Sequence, residues 1–393
     1  MQTRVPLHSP DFFAGDPYPA YKELRATAPV CWNDVTKFWA LLCYEDIRYV
    51  STNPDKFSST KGITIPDPVM PNPVQEGNLI FTDPPRHRQL RRLINTGFTR
   101  RQVAILEPKV REIVYGVLDE VGTGSTHDFA EELAAPLPTR MIAELLGAPP
   151  DDWEQFRRWS DACTGNADPE IELDSLVAVG ELFEYFQQLI AARRAEPRSD
   201  LLSVLSTAEV DGSRLTDEDL LNFAFLLLVA GNETTRNLIS LGTLALIDHP
   251  EACSELVKDP TLISGAVEEM LRWTSPVTHM ARAATMDVEI RGQPIREGDM
   301  VVMLYGSANR DEEIFGTDAE EFKITRNPNP HIAFGCGEHS CIGSQLARLE
   351  ARVFFEVLLG RYPELELAGD VDRMRATMVP GVKRMPVRFG TGR

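Results

Sequence analysis

The feature that most constrains the fold of this chain is a loop that contains a cysteine, at residues 334–348, with the sequence FGCGEHSCIGSQLAR. Gly335 and Gly337 allow a tight loop, and Cys341 comes just before the start of a predicted helix. The unpaired backbone N–H groups and the dipole at a helix N-terminus stabilise a thiolate. Gly343 leaves room for a bulky planar group against the backbone. We therefore expect a fold that holds a functional thiolate at the start of a helix.

Such a thiolate is suited to binding the iron of a haem, with backbone N–H donors tuning the charge on the sulfur. The loop resembles the haem-binding signature of the cytochrome P-450 family, Phe-Gly-x-Gly-x-His-x-Cys-x-Gly followed by Leu-Ala-Arg, and every fixed position is present. The resemblance implies that Cys341 is the metal ligand of haem b (iron protoporphyrin IX). It also implies that Phe334, Gly335 and Gly343 contact this cofactor.

A long apolar segment, residues 220–247, is predicted to form a helix buried in a large core. Its longest unbroken apolar run is much shorter than the roughly 20 residues that a membrane span needs. Thr216 and Asp219 have the spacing of a capping box at the start of this helix. His249 and Pro250 are expected to end it. No membrane span is therefore predicted.

Polar residues interrupt this apolar helix in the motif AGNETT, residues 230–235. Gly231 is expected to open space against a cofactor, and the Thr234 hydroxyl to compete for the carbonyl of Ala230 four residues earlier. Glu233 is then able to relay protons. The motif resembles the oxygen-activation motif of the cytochrome P-450 family. This resemblance implies that Thr234 and Glu233 are catalytic residues that deliver protons while O₂ is activated, and that Ala230 and Gly231 lie against the haem.

The remaining sequence predicts a mainly α chain of the α+β class. Strands are predicted at 38–43, 288–291 and 300–304, and helices over most of 86–205 and at 343–359, with breaks at Pro108, 122–125, Pro136 and 149–150. No linker marks a boundary, so residues 1–393 are expected to form a single domain. The resemblance implies the cytochrome P-450 fold, a helical bundle with small β-sheets around a buried haem.

A pair of opposite charges, Glu269 and Arg272, has the spacing of an ion pair within a helix. Its position before Cys341 resembles that of the structural Glu-x-x-Arg pair of the family. The family usually adds a second arginine just before a phenylalanine, where this chain has Glu321, and Arg326 is a candidate to replace it. The same Glu-x-x-Arg spacing also occurs at Glu45, Glu154 and Glu233, where the pattern alone means little.

Haem propionates require cationic partners. His87 and Arg91 lie four residues apart in a segment that resembles the family helix contributing such a pair. Arg282 and His339 match the other two usual propionate contacts. The resemblance therefore implies that these four residues bind the cofactor.

The charge of the chain excludes one broad class of function. Its 393 residues carry a net charge of −19, which argues against a nucleic-acid-binding protein, since such proteins need a dominant basic face. Six scattered cysteines do not make a disulfide framework and fit a reducing compartment. The N-terminus has no signal-peptide pattern. We therefore expect a cytoplasmic protein.

Residues 86–111 differ sharply from this acidic average, because they carry eight Lys and Arg residues and one acid, Glu107. A local basic surface of this kind attracts acidic proteins. It predicts docking of an acidic ferredoxin or flavodoxin, supplied with electrons by its NAD(P)H reductase.

The function implied by the resemblance is a bacterial soluble haem-thiolate monooxygenase, which inserts one oxygen atom into a C–H bond using O₂ and two electrons. The predicted pocket walls are 61–80, 163–190, the helix near Leu227, 275–281 and 377–379. The first of these is apolar with few charges, which favours a hydrophobic substrate. Sequence features outside the pocket resemble those of members acting on steroids, terpenoids and branched lipids. His279 is expected to be structural or at the surface, with a contact to a polar substrate group as the other possibility.

Three alternatives stay open at this point. A zinc site built from His331, Cys336, His339 and Cys341 is one, although the spacing lacks the usual C-x₂-C pair. The second is an enzyme of the same family that catalyses coupling, dehydration or peroxygenation. The third is a haem-binding protein without catalytic activity.

Overall fold

The chain is mainly helical, as predicted. The computed structural model describes residues 2–66, 77–122, 124–165, 168–210 and 212–390. Part of the predicted pocket wall 61–80, namely 67–76, lies outside the described residues. The α-helices are α1 (Pro10–Ala14), α2 (Tyr18–Thr27), α3 (Tyr44–Thr52), α4 (Arg86–Asn95), α5 (Arg100–Ile105), α6 (Glu107–Asp119), α7 (Pro136–Leu146), α8 (Trp153–Thr164), α9 (Ser175–Ala195), α10 (Leu201–Thr207), α11 (Asp217–Asp248), α12 (Pro250–Lys258), α13 (Ile263–Thr274), α14 (Tyr305–Ala308), α15 (Glu312–Phe315) and α16 (Ser344–Arg361).

Short strands make up the remaining regular structure, together with a π-helical turn at Phe129–Ala134 and several 3₁₀ turns. The strands are β1 (Val30–Asn33), β2 (Phe38–Leu41), β3 (Phe57–Ser58), β4 (Thr126–Asp128), β5 (Glu209–Val210), β6 (Ser213–Arg214), β7 (His279–Ala284), β8 (Val288–Ile290), β9 (Gln293–Ile295), β10 (Met300–Leu304), β11 (Leu365–Leu367), β12 (Asp372–Arg373), β13 (Val382–Arg384) and β14 (Pro386–Phe389). The predicted strands correspond to β2, β8 and β10.

The 32-residue helix α11 is the longest of the described helices and begins where the sequence predicts. The Thr216 side chain accepts a hydrogen bond from the backbone N–H of Asp219 at 3.1 Å, and the Asp219 carboxylate accepts one from the backbone N–H of Thr216 at 3.0 Å. This reciprocal pair satisfies two N–H groups that a helix start leaves without partners. The helix ends at Asp248, just before His249 and Pro250. The predicted capping box and end point are therefore confirmed.

Helix α11 passes through two separate hydrophobic clusters. Its first half, to Leu228, packs with α7, α8, α9 and α10, and its second half, from Leu238, packs with α13 and α16. The AGNETT motif of residues 230–235 lies between these halves. The polar part of the helix is therefore at the junction of the two clusters, in the interior of the fold.

The largest sheet has five strands in the order β1-β2-β10-β7-β3. Strand β10 pairs in parallel with β2 and antiparallel with β7, which places Arg282 opposite Val301. The sequence does not predict strand β7, because its residues HMARAA lack the β-branched and large aromatic side chains that favour strands. This sheet positions one of the predicted cofactor-binding residues, Arg282.

The predicted pair of Glu269 and Arg272 on α13 is confirmed and is completely buried. Two hydrogen bonds of 2.7 and 2.8 Å join the carboxylate to the guanidinium. Arg326 also approaches the Glu269 carboxylate, with Nε 3.2 Å from Oε2, so it provides the second arginine. Glu321 contributes only its backbone carbonyl, which accepts a hydrogen bond from Arg272 at 2.7 Å.

None of the helices in the described parts of the chain combines the length and the apolar character that crossing a membrane requires.

Candidate functional site

The cysteine loop has the tight geometry that its glycines predict. Gly335 and Gly337 have φ angles of 64° and 73°, in the left-handed region where a glycine is favoured. The backbone N–H of Cys341 donates to the carbonyl of Phe334 at 2.8 Å, which closes the loop. Helix α16 starts at Ser344 with Gly343 as its N-cap. The predicted position of Cys341 just ahead of a helix is therefore confirmed.

The Cys341 side chain is accessible, although it lies deep in the protein. Burial raises the pKa of this thiol, and hydrogen bonds from the backbone of Gly343 and Ser344 oppose that rise. The helix start therefore supplies the predicted donors, which lower the pKa and favour the thiolate as expected, while burial acts in the opposite direction. A Cβ built at Gly343 would lie 3.9 Å from the Cys341 sulfur. The missing side chain thus leaves room beside the sulfur.

Four basic side chains that were predicted separately come together near this loop. The rings of His87 and His339 have centroids 4.2 Å apart, and Arg91 donates to the carbonyl of Ser340 at 2.5 Å. Arg282 is buried, and its recorded hydrogen bond is to the carbonyl of the preceding residue, at 2.7 Å. Within the described residues, neither ring nitrogen of the buried His87 has a hydrogen-bond partner. Burial lowers the pKa of both Arg282 and His87.

Buried basic groups of this kind are costly unless an anion balances them. The Glu338 carboxylate lies 4.0 Å from His87 but is bound to Arg88. The cluster therefore suits a ligand that brings its own carboxylates.

The motif on α11 presents different residues to its two sides. Ala230 is exposed and Thr234 is half-buried, although the neighbouring Asn232 and Thr235 are buried. The Thr234 hydroxyl donates to the carbonyl of Ala230 at 2.7 Å, as predicted. The side of α11 that bears Ala230 and Thr234 is therefore accessible, between two buried halves of the helix.

Glu233 lies on the buried side of α11, where its Oε1 accepts a hydrogen bond from Arg236 at 3.2 Å. Its Oε2 has no partner among the described atoms. Burial raises the pKa of Glu233 to about 8, against the opposing effect of Arg236, and the nearby Asp161 carboxylate raises it further. The Glu-x-x-Arg spacing at Glu233, which has no particular meaning in the sequence alone, therefore forms a buried hydrogen-bonded pair.

Gly231 differs from its prediction. A Cβ at this position would lie 3.0 Å from Cδ1 of Ile142 on α7. The missing side chain thus allows α11 to pack closely on α7, and it does not open space toward a cofactor.

The comparisons with known proteins agree with this geometry. The family model described as Cytochrome P450 matches residues 173–386. A steroid C26-monooxygenase of Mycolicibacterium smegmatis is 39% identical over 99% of this chain and 97% of its own length. A methyl-branched lipid omega-hydroxylase of Mycobacterium bovis is 38% identical over 98% of this chain and 94% of its own length. The structure of Mycobacterium marinum cytochrome P450 CYP268A2 in complex with pseudoionone is 37% identical, with a TM-score of 0.90 and coverage of 99% of both chains.

The chain belongs to the cytochrome P450 family. This P450 has the fold of the family, a helical bundle with small β-sheets, and it is a monooxygenase whose cofactor is haem b. As a monooxygenase of this family it acts on hydrophobic small molecules.

The residues of this P450 fit haem b. An accessible cysteine sulfur with space beside Gly343 suits an iron ligand with a planar ring against the backbone. The buried cluster of His87, Arg91, Arg282 and His339 suits two propionate groups. Ser59, whose hydroxyl lies 3.1 Å from Nε2 of His339, belongs to the same cluster, and nothing in its sequence context points to it.

The zinc alternative is not supported. His331 pairs with Glu268 at 3.0 Å, and His339 pairs with Ser59. Among the residues described, no three His, Cys, Asp or Glu side chains are placed to hold a metal ion.

The basic segment 86–111 is less basic in the folded P450 than in the sequence, because acids pair with part of it, three of them from distant parts of the chain. The recorded ion pairs are Arg86 with Asp219, Arg88 with Glu338, Lys109 with Glu112, and Arg111 with Glu107 and Glu356. Arg100 and Arg101 are exposed. Arg100 also lines a surface cavity of about 370 Å³ with Arg348 and Arg352 of α16, the helix that follows Cys341. The predicted basic surface is therefore smaller than the sequence indicates.

Proposed function

We propose that this P450 hydroxylates large apolar molecules of the steroid, terpenoid or methyl-branched lipid type. The observation that carries this proposal is the accessible side of α11. Ala230 and Thr234 lie on this side, whereas Glu233 and Arg236 pair with each other in the buried core. The helix thus offers a substrate one hydroxyl group and no charge. The relatives named for steroid and branched-lipid oxidation support the same substrate class.

We further propose which residues hold the cofactor. Cys341 binds the iron, and the propionates are held by His87, Arg91, Arg282 and His339. Phe334, Gly335, Gly343, Ala230 and Gly231 are the proposed neighbours of the ring, with Gly231 contributing its backbone alone. When bound, the haem activates O₂ with two electrons and so supplies the oxidising chemistry.

The proton-transfer roles belong to Thr234 and Glu233. The Ala230 carbonyl fixes the Thr234 hydroxyl on the accessible side of α11, where its oxygen can accept a hydrogen bond from water and so hold that water in place as a proton donor. Glu233 keeps a proton at neutral pH, since burial raises its pKa to about 8. Its Oε1 is occupied by Arg236, so we assign the proton to Oε2. A buried acid that is still protonated at neutral pH is suited to proton donation.

The substrate class is tested by titrating the ferric protein with a steroid, a methyl-branched lipid and a polar compound of similar size. We expect the two apolar ligands to shift the spin state of the haem and to give hydroxylated products with NADH and a surrogate electron donor. A response to the polar compound alone would contradict the proposal. Products of coupling or dehydration, without added oxygen, would favour the alternative reactions of the family.

The iron ligand is tested with a matched pair of cysteines from the same loop. Cys341→Ser should abolish the red-shifted absorption band of the reduced, CO-bound P450. Cys336→Ser should retain it, because Cys336 occupies a variable position of the signature and is half-buried. Retention of the band in Cys341→Ser would overturn the assignment.

We infer that electrons arrive from an acidic ferredoxin or flavodoxin served by an NAD(P)H reductase. The exposed Arg100 and Arg101, next to the helix that follows Cys341, support this choice. We also place the protein in the cytoplasm, since all six cysteines are free. Finally, we propose that residues 1–393 form a single domain, because residues between His87 and Cys341 serve one cofactor.

A further inference from the structure

His279 is a buried histidine with no role in the proposed chemistry. It is the first residue of β7 and is 0% exposed, and its ring lies 5.5 Å from the ring of Phe13. It therefore does not reach a substrate directly, which confirms the expectation of a structural histidine. Burial lowers the pKa of His279 to about 3, so the ring is neutral near pH 7. A neutral imidazole has one nitrogen that donates and one that accepts a hydrogen bond.

The partners of His279 fix which nitrogen carries the proton. The Thr64 hydroxyl lies 3.1 Å and the backbone N–H of Ile65 lies 3.3 Å from Nε2; since a backbone N–H can only donate, Nε2 must be the acceptor. The proton is therefore on Nδ1, which lies 3.0 Å from the hydroxyl oxygen of Thr278. That hydroxyl in turn donates to the carbonyl of Thr377 at 2.6 Å. The hydrogen bonds thus run in one direction: Ile65 donates to His279, His279 donates to Thr278, and Thr278 donates to Thr377.

This chain of hydrogen bonds joins parts of three segments that the sequence predicts as pocket walls: 61–66 of the first wall, 275–281 and 377–379. Additional backbone bonds run beside it, from Ala281 to the carbonyl of Ile63 at 2.7 Å and from Thr278 to the carbonyl of Met378 at 2.9 Å. The side chain of His279 adds a side-chain link between the first segment and the third, by way of Thr278. Its position behind the wall allows it to set the spacing of the segments.

We propose that His279 is a positioning residue that determines which substrates fit, because its ring ties residues 61–66 and 377–379 to β7. This inference rests on the proposed function for the identity of those walls. The ring acts by fixing the wall segments and does not touch the substrate. This positioning role requires a hydrogen-bond acceptor at the position of Nε2. It therefore depends on the length of the side chain as well as on its polarity.

Two amide variants distinguish the effect of side-chain length from the effect of side-chain polarity. In His279→Gln the terminal amide extends about as far as Nε2, so its oxygen can accept the Ile65 N–H. In His279→Asn the amide extends only about as far as Nδ1, so it keeps the contact with Thr278 and loses Ile65. Both replacements are uncharged and polar, which makes each a control for the other.

The first measurement is amide hydrogen exchange in peptides covering residues 62–66, which needs no substrate. We expect Ile65 to exchange up to about tenfold faster in His279→Asn, the range that one net hydrogen bond supplies, and at nearly the wild-type rate in His279→Gln. Equal exchange in His279→Asn and the wild type would overturn the proposal, as would His279→Gln behaving like His279→Asn. If His279→Asn fails to fold, His279→Ala takes its place against His279→Gln, because it also leaves the Ile65 N–H without this acceptor, and equal exchange in the two variants would count against the proposal.

The second measurement compares steroid and branched-lipid affinities by the ferric spin shift, together with kcat and KM. We expect His279→Asn to change the ratio of the two affinities at least about threefold and to raise KM more than it lowers kcat, with His279→Gln restoring the wild-type ratio. An unchanged ratio despite faster exchange would show a structural tether without influence on specificity, and would overturn the proposal. If no apolar ligand shifts the wild-type spin state, the proposed substrate class fails. The exchange measurement still tests whether His279 holds residues 61–66 in place.

Discussion

The Nη1 atom of Arg236 lies 3.2 Å from Oε1 of Glu233, within the buried part of α11. Arg236 also contacts Asp161 of α8 at 3.3 Å and donates to the carbonyl of Val382 at 2.9 Å. The proposed proton donor is thus held by a buried arginine that also binds two other parts of the fold. Because burial and the Asp161 carboxylate outweigh Arg236, the pKa of Glu233 is raised to about 8.

The raised pKa predicts a pH dependence of stability. Between the ordinary glutamate pKa near 4.3 and the folded value of about 8, the folded state holds a proton that the unfolded state has lost. The contribution of Glu233 to the free energy of unfolding therefore decreases as pH rises through this window. Glu233→Gln should remove that contribution and flatten the curve of unfolding midpoint against pH. Because Glu350 also has a pKa of about 8, the difference between wild type and variant is the quantity to measure. Parallel curves for the two proteins would contradict the prediction.

The two glycines of the cysteine loop predict different responses to alanine. A Cβ on Gly337 would lie 2.3 Å from the backbone oxygen of Ser51, whereas a Cβ on Gly335 has the Tyr305 hydroxyl as its nearest atom, at 3.6 Å. Both variants place alanine in the left-handed region, which costs about 1–2 kcal/mol. Gly337→Ala adds a clash with α3 and should lose about 2–5 kcal/mol in total. Denaturant unfolding and haem content measure the difference. Equal losses in the two variants would exclude the clash as the cause.

Local patterns of sequence were enough to predict the parts of the site that depend on neighbouring residues. The capping box of Thr216 and Asp219, the bond from Thr234 to Ala230, and the position of Cys341 before α16 are set within a few residues of chain. Each follows from backbone geometry and hydrogen bonding that the local sequence contains.

Features that depend on distant partners were not predictable in this way. Asp161 lies beside the Glu233–Arg236 pair because α8 packs there, and Gly231 faces Ile142 because α7 packs there. The net charge of segment 86–111 overstates the positive charge of its surface in the folded protein, because Glu338 and Asp219 from elsewhere in the chain pair with its arginines. Tertiary packing determines these contacts, and no spacing within the segment contains them.

The buried pair on α13 predicts a large loss of stability when its carboxylate is removed. Glu269 receives hydrogen bonds from Arg272, Arg326 and Asn329, and from the backbone of Lys323. Glu269→Gln keeps the shape but leaves buried arginines without a full counter-charge, which should cost about 3–5 kcal/mol.

The matched control for this variant is Glu45→Gln. Its partner Arg48 is three residues away at 3.5 Å, but both side chains are more than half exposed, so the change should stay within about 0.5 kcal/mol. Denaturant unfolding of both variants provides the comparison. A similar loss in the two would show that burial of the pair at Glu269 contributes nothing.

The exposed arginines beside α16 predict a salt-dependent rate of electron transfer. Arg100→Gln combined with Arg101→Gln removes two exposed positive charges near the helix that follows Cys341. Long-range attraction to an acidic donor raises the association rate at low ionic strength and is screened within a Debye length of about 10 Å at 0.1 M salt. The double variant should therefore be reduced several-fold more slowly than wild type at low salt, with the difference vanishing at high salt. Lys109→Gln is the control, because Lys109 is already paired with Glu112 at 3.0 Å. Stopped-flow reduction by a ferredoxin or flavodoxin measures the rates, and a deficit that is the same at every salt concentration would place docking on another surface.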